Sequence, residues 1–251
     1  VEFIKKAKTI AMKNKVYKNH IGFGYFPCIT PAIIQRNILE NPGWYTAYTP
    51  YQAEISQGRM EALLNFQTMI TSLTGMDMAN ASLLDEATAA AESISLAFAA
   101  QRKNKSKKIF ISKNIFPQCQ EVIETRMAPL DIEVTFGNVE PGIFDNEQYF
   151  AVLLQCPDLN GTIYDYSDIT EVAHKNDCLV IAGVDLMSLC LVESPGTWGA
   201  DIVYGSTQRF GVPLGFGGPH AGFLATTDAY KRLIPGRIIG VSKDRQGKQA
   251  M

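Results

Sequence analysis

The sequence has 251 residues, of which 46% are hydrophobic and 19% are charged, and its formal net charge at pH 7 is −2. This length and apolar content allow one large domain with an additional arm. A charge so close to zero gives no electrostatic basis for binding nucleic acid or a membrane surface. No stretch reaches the roughly 18 apolar residues that a membrane-spanning helix requires.

The cysteine content argues against cross-links and metal. There are five cysteines, an odd number, and no C-x-x-C pair. This pattern fits neither a disulfide framework nor a zinc site, so we expect reduced thiols that lie mostly in the core, and no metal ion. The chain begins Val1-Glu2-Phe3 and ends without a helix stop signal, and we therefore expect a piece of a longer protein.

The first third of the chain predicts helices. Apolar residues at helical spacing indicate a helix over residues 2–18. Thr30 and Pro31 are typical of the first positions of a helix, which we expect to continue to about residue 40 and to end at Asn41-Pro42-Gly43. Residues 44–52 are aromatic and interrupted by proline, so no regular structure is predicted there.

A longer helix is predicted over residues 53–74, with Gly75 at its C′ position. The segment Ser82-Leu83-Leu84-Asp85 resembles a capping box, and an alanine-rich helix should follow it to about Arg102.

The rest of the chain alternates between short apolar runs and helical patterns. This alternation predicts an α/β domain with a largely parallel sheet. The predicted strands are Lys108–Ser112, Glu133–Phe136, Tyr149–Gln155, Cys178–Ala182, Asp201–Tyr204 and Ala221–Ala225, and the helices between them are Phe116–Met127 and Tyr166–Asn176.

An aromatic loop over residues 41–58, the tyrosine-rich loop, is the first candidate for a functional segment. It carries three tyrosines together with Gln52, Glu54 and Gln57 just before a predicted helix. Polar groups on a loop held by a rigid scaffold are common in ligand sites. Aromatic packing at a domain or subunit contact explains the composition almost as well.

Two further segments are unusual. A helix start after the polar loop 78–84 offers free N–H groups to an anion, but Asp85 and Glu86 already occupy the first turn, so a capped helix is favoured over a phosphate cradle. Residues Gly205–His220 include five glycines, which indicates turns and close backbone approach. This segment fits neither a P-loop nor a Rossmann fingerprint.

These segments together resemble the P-protein family of the glycine cleavage system, and the resemblance covers nearly the whole chain. The matching stretches are Ile21–Tyr25, Asn41–Gly58, Asn80–Glu86, Gly199–Asp201, Gly205–Gly215 and Gly236–Ser242. Ala87 departs from the family, which commonly has glycine there. P-proteins consist of two halves, joined in one chain or present as two subunits, and this sequence resembles the amino-terminal one, so we expect the carboxy-terminal half as its partner.

The resemblance implies a fold. Each half of a P-protein is built like a fold-type-I pyridoxal phosphate (PLP) enzyme, so we expect an α/β large domain, mostly parallel sheet with flanking helices, preceded by a helical arm. The arm and a tyrosine-rich interface segment should cover residues 1–75, and the large domain residues 76–235. Residues 236–251 should begin the connection to a small domain outside this sequence.

The resemblance also implies that this half holds no cofactor. Only the carboxy-terminal half of the family carries the lysine that binds PLP, and the match places Gln208 at the corresponding position here. It places Ala182 where an acid should contact the pyridine nitrogen, with Asp185 on the opposite face of the strand. Asp85 and Glu86 stand at the phosphate cradle.

The implied activity belongs to the complete enzyme. It decarboxylates glycine on PLP held by the other half and passes the aminomethyl group to the lipoyl arm of the H-protein. This half should contribute Tyr48, Tyr51, Gln52, Glu54 and Gln57 to the substrate site, in the cytoplasm of a bacterium or the mitochondrial matrix of a eukaryote. The alternatives are a scaffold that only stabilises the catalytic half and, much less well supported, an independent PLP transferase.

Overall fold

The computed structural model describes residues 1–45, 50–101, 103–215, 217, 218 and 220–251. The strands are β1 (Met78–Ala79), β2 (Lys108–Ser112), β3 (Glu133–Gly137), β4 (Ala151–Cys156), β5 (Leu179–Asp185), β6 (Ile202–Ser206), β7 (Gly222–Thr226), β8 (Ser242–Lys243) and β9 (Gln249–Ala250). The first seven form one sheet in the order β1-β7-β6-β5-β4-β2-β3. Strands β2 to β6 are parallel, whereas β7 and β1 are antiparallel to their neighbours.

The helices surround this sheet and extend from it at the amino terminus. They are α1 (Glu2–Ala11), α2 (Ala32–Ile34, continued by a π-helical turn over Gln35–Leu39), α3 (Pro42–Tyr45), α4 (Gln57–Thr74), α5 (Glu86–Ala100), α6 (Pro117–Met127) and α7 (Ser167–Lys175). No residue of α1, α2 or α3 is buried. The amino-terminal segment is therefore an exposed helical arm, as the resemblance implied.

Each face of the sheet is covered by two helices. Helices α5 and α6 pack on the face that presents Ile109, Leu153 and Ile181. The opposite face presents Val180, Ala182 and Val184, and it is covered by α7 and α4. Because both faces are buried, the central strands are nearly continuous apolar runs, as is usual in parallel sheets.

The predicted α/β class and the parallel sheet are confirmed. Strand β2 has the predicted bounds, and the other five predicted strands are present with ends shifted by up to three residues. Gly75 ends α4 in the left-handed conformation with φ +70°, and its N–H donates to the carbonyl of Thr71, as a C-terminal glycine should.

Two helix boundaries differ for local reasons. Helix α1 ends at Ala11 rather than near residue 18. At this end the side chain of Asn14 donates a hydrogen bond to the carbonyl of Ala11. Helix α4 begins at Gln57, because the N–H groups of Ile55 and Ser56 turn back to the carbonyl of Gln52.

The prediction that Ser82 caps α5 is wrong. Ser82 does not cap it; the N-cap is Asp85, whose Oδ1 accepts a hydrogen bond from the Thr88 N–H at 2.6 Å. The Ser82 hydroxyl lies instead 2.9 Å from the hydroxyl of Tyr51.

All five cysteines are free, and three of them, Cys119, Cys156 and Cys178, are buried. Within the described residues, no helix is both long and apolar enough to cross a bilayer. The same residues contain no group of three or more potential metal ligands.

Candidate functional site

A small pocket lies where the amino terminus of α5 meets the carboxyl end of β6. Its volume is about 190 Å³. Asp85, Glu86 and Gln208, which the sequence placed in one degenerate cofactor site, all line it. The other lining residues are Gly24, Tyr25, Ala87, Gln118, Val122, Ser206, Leu214 and His220.

Glu86 has an unusual carboxyl group. Burial, followed by the charges of Asp185 and Asp85, raises its pKa from the ordinary 4.5 to about 8. Glu86 is therefore mostly protonated at neutral pH, and it presents a neutral donor to the pocket rather than a cradle for an anion.

The side chain of Gln208 is fixed by the hydrogen bonds that its amide group donates. Its side-chain N–H donates to the carbonyl of Val212 at 2.6 Å and to the sulfur of Cys28 at 3.3 Å. Only 4% of the residue is exposed. The amide is thus fixed in the turn that follows β6, and it cannot form an imine because its nitrogen is not basic.

The neighbouring strand requires a second correction. Ala182 and Asp185 lie on opposite faces of β5, as the strand period predicts. Ala182, however, packs toward α4, away from the pocket. Asp185 lies on the side of α5, 3.7 Å from Arg209, and its charge acts on Glu86. The absence of an acid at Ala182 therefore says nothing about this pocket, because Ile181, Gly183 and Asp185 are the residues of β5 on the face that α5 covers.

A buried polar pair on the same face was not identified from the sequence. Gln155 of β4 and Tyr204 of β6 flank Gly183 in register. A Cβ on Gly183 would lie 2.6 Å from the Tyr204 hydroxyl and 2.7 Å from Oε1 of Gln155. Neither side chain has a hydrogen-bond partner in the part of the molecule that the structure describes. Burial raises the pKa of Tyr204 well above its ordinary value.

The pocket does not fit pyridoxal phosphate. A PLP site needs a lysine, an acid at the pyridine nitrogen and a cradle for the phosphate. No lysine is found among the described residues that line the pocket. The α5 N-terminus, where free N–H groups would hold a phosphate, carries Asp85 and Glu86 instead.

The tyrosine-rich loop packs beside the start of this region. The Tyr51 hydroxyl lies 2.9 Å from Oγ of Ser82, and the guanidinium of Arg237 lies over the Tyr51 ring at 5.8 Å. The ring also packs against a small cluster that includes Ile239 and Met251. The structure therefore joins the loop to two segments distant in sequence, those around residues 82 and 237–251.

The other predicted residues of the loop are placed differently. Tyr48 lies outside the described residues. The amide of Gln57 donates to the carbonyl of Ala53 and exchanges two hydrogen bonds with the backbone of Met251. Gln52 is half-buried and its carbonyl closes the turn before α4, whereas Glu54 is exposed. Gln57 is thus bound within the chain, and Glu54 is directed to solvent.

The comparisons with known proteins agree with one another. The sequence model of the family described as "Glycine cleavage system P-protein" matches residues 1–251. The glycine dehydrogenase (decarboxylating) of Nostoc sp. strain PCC 7120 is 56% identical over 246 residues, which are 98% of this chain and 25% of that protein. This chain thus spans about a quarter of the length of that relative.

Solved structures give the same result. A crystal structure of glycine decarboxylase (P-protein) of the glycine cleavage system, in inhibitor-bound form, superimposes with a TM-score of 0.89 at 33% identity, covering 99% of this chain and 57% of that one. An aspartate aminotransferase of subgroup IV from Thermus thermophilus reaches a TM-score of 0.56 at 16% identity, covering 84% of this chain and 57% of that one, which indicates a common fold alone.

Proposed function

The chain belongs to the glycine cleavage system P-protein family, and from this premise we propose that it is the cofactor-free half of a glycine decarboxylase. In the complete enzyme, PLP is bound by the other half. The enzyme decarboxylates glycine and passes the aminomethyl group to the lipoyl group of the H-protein. On the resemblance alone, we place this activity in the bacterial cytoplasm or the eukaryotic mitochondrial matrix.

One observation carries the assignment of the cofactor to the other half. Gln208, Asp85 and Glu86 converge on one pocket at the end of the sheet. An amide there cannot hold a cofactor aldehyde, and the carboxylate of Asp85, which already caps the helix through the Thr88 N–H, opposes a phosphate at that helix N-terminus. Asp185 supplies an acid on the correct face, but it already lies near Arg209. One suitable group out of three does not make a PLP site.

When PLP is bound, it supplies the electron sink that decarboxylation needs. The contribution of this chain is different: the tyrosine-rich loop binds and orients glycine and excludes water across the contact with the other half. Tyr48, Tyr51, Gln52 and Glu54 are the residues that we assign to this task. Exposed Glu54 and the ring of Tyr51, fixed by Ser82 and Arg237, support it. We assign Gln57 to positioning, since its amide binds the backbone.

A scaffold without a part in catalysis is the second candidate. It is favoured by the internal bonds of the loop, since the Tyr51 hydroxyl and the Gln57 amide both find partners within the chain. The two functions differ in their response to truncation. A scaffold tolerates the loss of an exposed carboxylate such as Glu54, whereas a loop that orients substrate loses turnover.

The experiment that tests the cofactor assignment uses the complete P-protein. Borohydride reduction fixes PLP to its lysine, and digestion with mass spectrometry locates the modified peptide. We expect one stoichiometric pyridoxyl-lysine peptide, and it should lie outside this 251-residue sequence. A stoichiometric modification at any lysine of this segment would overturn the proposal.

A further inference from the structure

We propose that Arg237 binds the carboxylate group of the amino-acid substrate. This inference rests on the proposed function, in which the tyrosine-rich loop faces the substrate site. Arg237 lies far from the loop in sequence, and nothing in the spacing of residues connects the two. The structure brings them together.

The backbone at Arg237 is held in place on both sides. Its carbonyl accepts a hydrogen bond from the N–H of Ala81 at 2.7 Å. Two residues later, the buried amide of Gln67 accepts from the Ile239 N–H at 2.8 Å and donates to the Ile239 carbonyl at 3.0 Å. Gly236, with φ +82°, approaches the carbonyl of Ser82. The segment that carries Arg237 is therefore fixed against α4 and the loop before α5.

The side chain of Arg237 is oriented by an aromatic ring. Its guanidinium lies 5.8 Å from the centre of the Tyr51 ring, and the Tyr51 hydroxyl is itself held by Ser82. A guanidinium above an aromatic face keeps its N–H edge available for in-plane hydrogen bonds. This arrangement restricts the rotamers of a long side chain before any ligand is present, which lowers the entropy cost of binding.

The positive charge of Arg237 is available. The guanidinium groups of Arg126 and Arg209 lie near the carboxylates of Glu92 and Asp185. For Arg237, no carboxylate of the described residues lies within ion-pair distance. An exposed, oriented guanidinium without an anionic partner is suited to an anion from outside the chain, and a planar carboxylate matches its fork of donors.

The proposal can be tested in the complete P-protein with two small inhibitors that each represent part of glycine. Acetate carries a carboxylate without an amine, and methylamine carries an amine without a carboxylate. The variants are Arg237→Gln and Arg237→Met, of which the second keeps aliphatic contact with Tyr51 should the first fail to fold. Arg245→Gln is the control, because Arg245 is an exposed arginine of the nearby β8–β9 hairpin.

We expect both Arg237 variants to raise the KM for glycine and the Ki for acetate by about tenfold to a hundredfold, which is the range for losing a charge-assisted hydrogen bond. Inhibition by methylamine should be unchanged, as should all constants of Arg245→Gln. A purely structural role of Arg237 would alter the acetate and methylamine constants together, and that result would overturn the proposal.

Tyr51→Phe, measured beside them, separates this inference from the proposed function. If Tyr51→Phe lowers turnover while the acetate constant of the Arg237 variants equals that of the wild type, the arginine assignment is wrong and the proposed role of the loop stands. If all of these variants behave as wild type, the loop does not face the substrate, and both the arginine assignment and the proposed role of the loop are wrong; the assignment of PLP to the other half is decided separately by the borohydride experiment.

Discussion

The negative charge of Asp185 at the end of β5 acts on the carboxyl group of Glu86 at the start of α5. Together with burial and with Asp85, this interaction raises the pKa of Glu86 to about 8. An acid with a raised pKa binds its proton more tightly in the folded state than in the unfolded state. Between its ordinary value of 4.5 and about 8, the folded chain therefore keeps a proton that the unfolded chain has released.

The stability of the fold should consequently fall as pH rises through this interval, because fewer protons are bound in the unfolded state. We expect Glu86→Gln to remove this dependence. At pH 9 the variant should be more stable than the wild type by about 2 to 4 kcal/mol, given 1.36 kcal/mol per pKa unit and partial access of water to the pocket. Below pH 4 the two should be equal within roughly 0.5 kcal/mol.

Denaturant unfolding at pH 4, 7 and 9 measures the difference. Glu61→Gln is the matched control, since Glu61 is an exposed glutamate of α4. We expect the control to differ from the wild type by the same small amount at every pH. A Glu86→Gln variant with a constant offset would show that the carboxyl group is not held protonated.

Two glutamines of α4 allow a direct comparison of buried and exposed hydrogen bonds. Gln67 and Gln57 each bond twice to a backbone, at Ile239 and at Met251. Gln67 is buried, whereas Gln57 is exposed. We expect Gln67→Ala to lower the free energy of unfolding by about 2 to 4 kcal/mol, because it leaves two buried backbone groups unpaired.

For Gln57→Ala the expected loss is below about 1 kcal/mol, since water replaces the amide at an exposed site. Chemical denaturation of the single variants measures both values. Equal losses would contradict the assignment of Ile239 to a buried, doubly bonded position. Hydrogen exchange at the Ile239 amide gives an independent measure, as its protection should disappear in Gln67→Ala alone.

The helices and strands were predicted from the sequence more accurately than the roles of individual residues such as Ser82. Strands such as β2 were found because short apolar runs, bounded by polar residues, carry their own signal. Strand β1 has only two residues and was not predicted, because its pairing with β7 defines it. Ser82 was assigned to the cap of α5 on a local pattern, but a distant residue, Tyr51, occupies its hydroxyl.

The same limit applies within β5. Its period of two correctly placed Ala182 and Asp185 on opposite faces. Which face points toward α5 depends on which helix covers which side of the sheet, and no local pattern records that. Arg237 was missed for a similar reason, since it reaches Tyr51 through the packing of residues 237–251 against α4.

Two residues of the tyrosine-rich loop, Tyr51 and Glu54, can be tested individually. In the complete enzyme, Tyr51→Phe and Glu54→Gln should each lower glycine turnover by roughly a hundredfold, if they remove a contact that tightens in the transition state. Bound PLP should be unchanged, as measured by absorbance of the purified variants. Glu61→Gln again provides the control outside the loop. Unchanged turnover in both variants would leave the scaffold as the function of this half.

The last expectation is that Gln208→Lys will not create a working PLP site. The substitution removes the hydrogen bonds from the Gln208 amide to Val212 and Cys28, and the new amine would enter a pocket with Asp85 and Glu86. Acidic neighbours favour the charged ammonium form, whereas imine formation requires the neutral amine. An incoming phosphate would meet the negative charge of Asp85 at the start of α5.

Charges at a helix end contribute about 0.3–1 kcal/mol each, and up to ~2 kcal/mol when partly buried. Because Glu86 is mostly protonated at neutral pH, the charge of Asp85 alone opposes the phosphate, and it weakens phosphate binding by about twofold to thirtyfold, at 1.4 kcal/mol per tenfold. The triple variant Gln208→Lys, Asp85→Ser, Glu86→Gln should accordingly bind PLP about twofold to thirtyfold more tightly than the single variant, still without releasing carbon dioxide from glycine. Absorbance during PLP titration and labelled glycine measure the two properties. Micromolar binding with turnover in the single variant would mean that the acidic start of α5 is no barrier to the cofactor, and that the loss of one lysine alone separates this half from an active one.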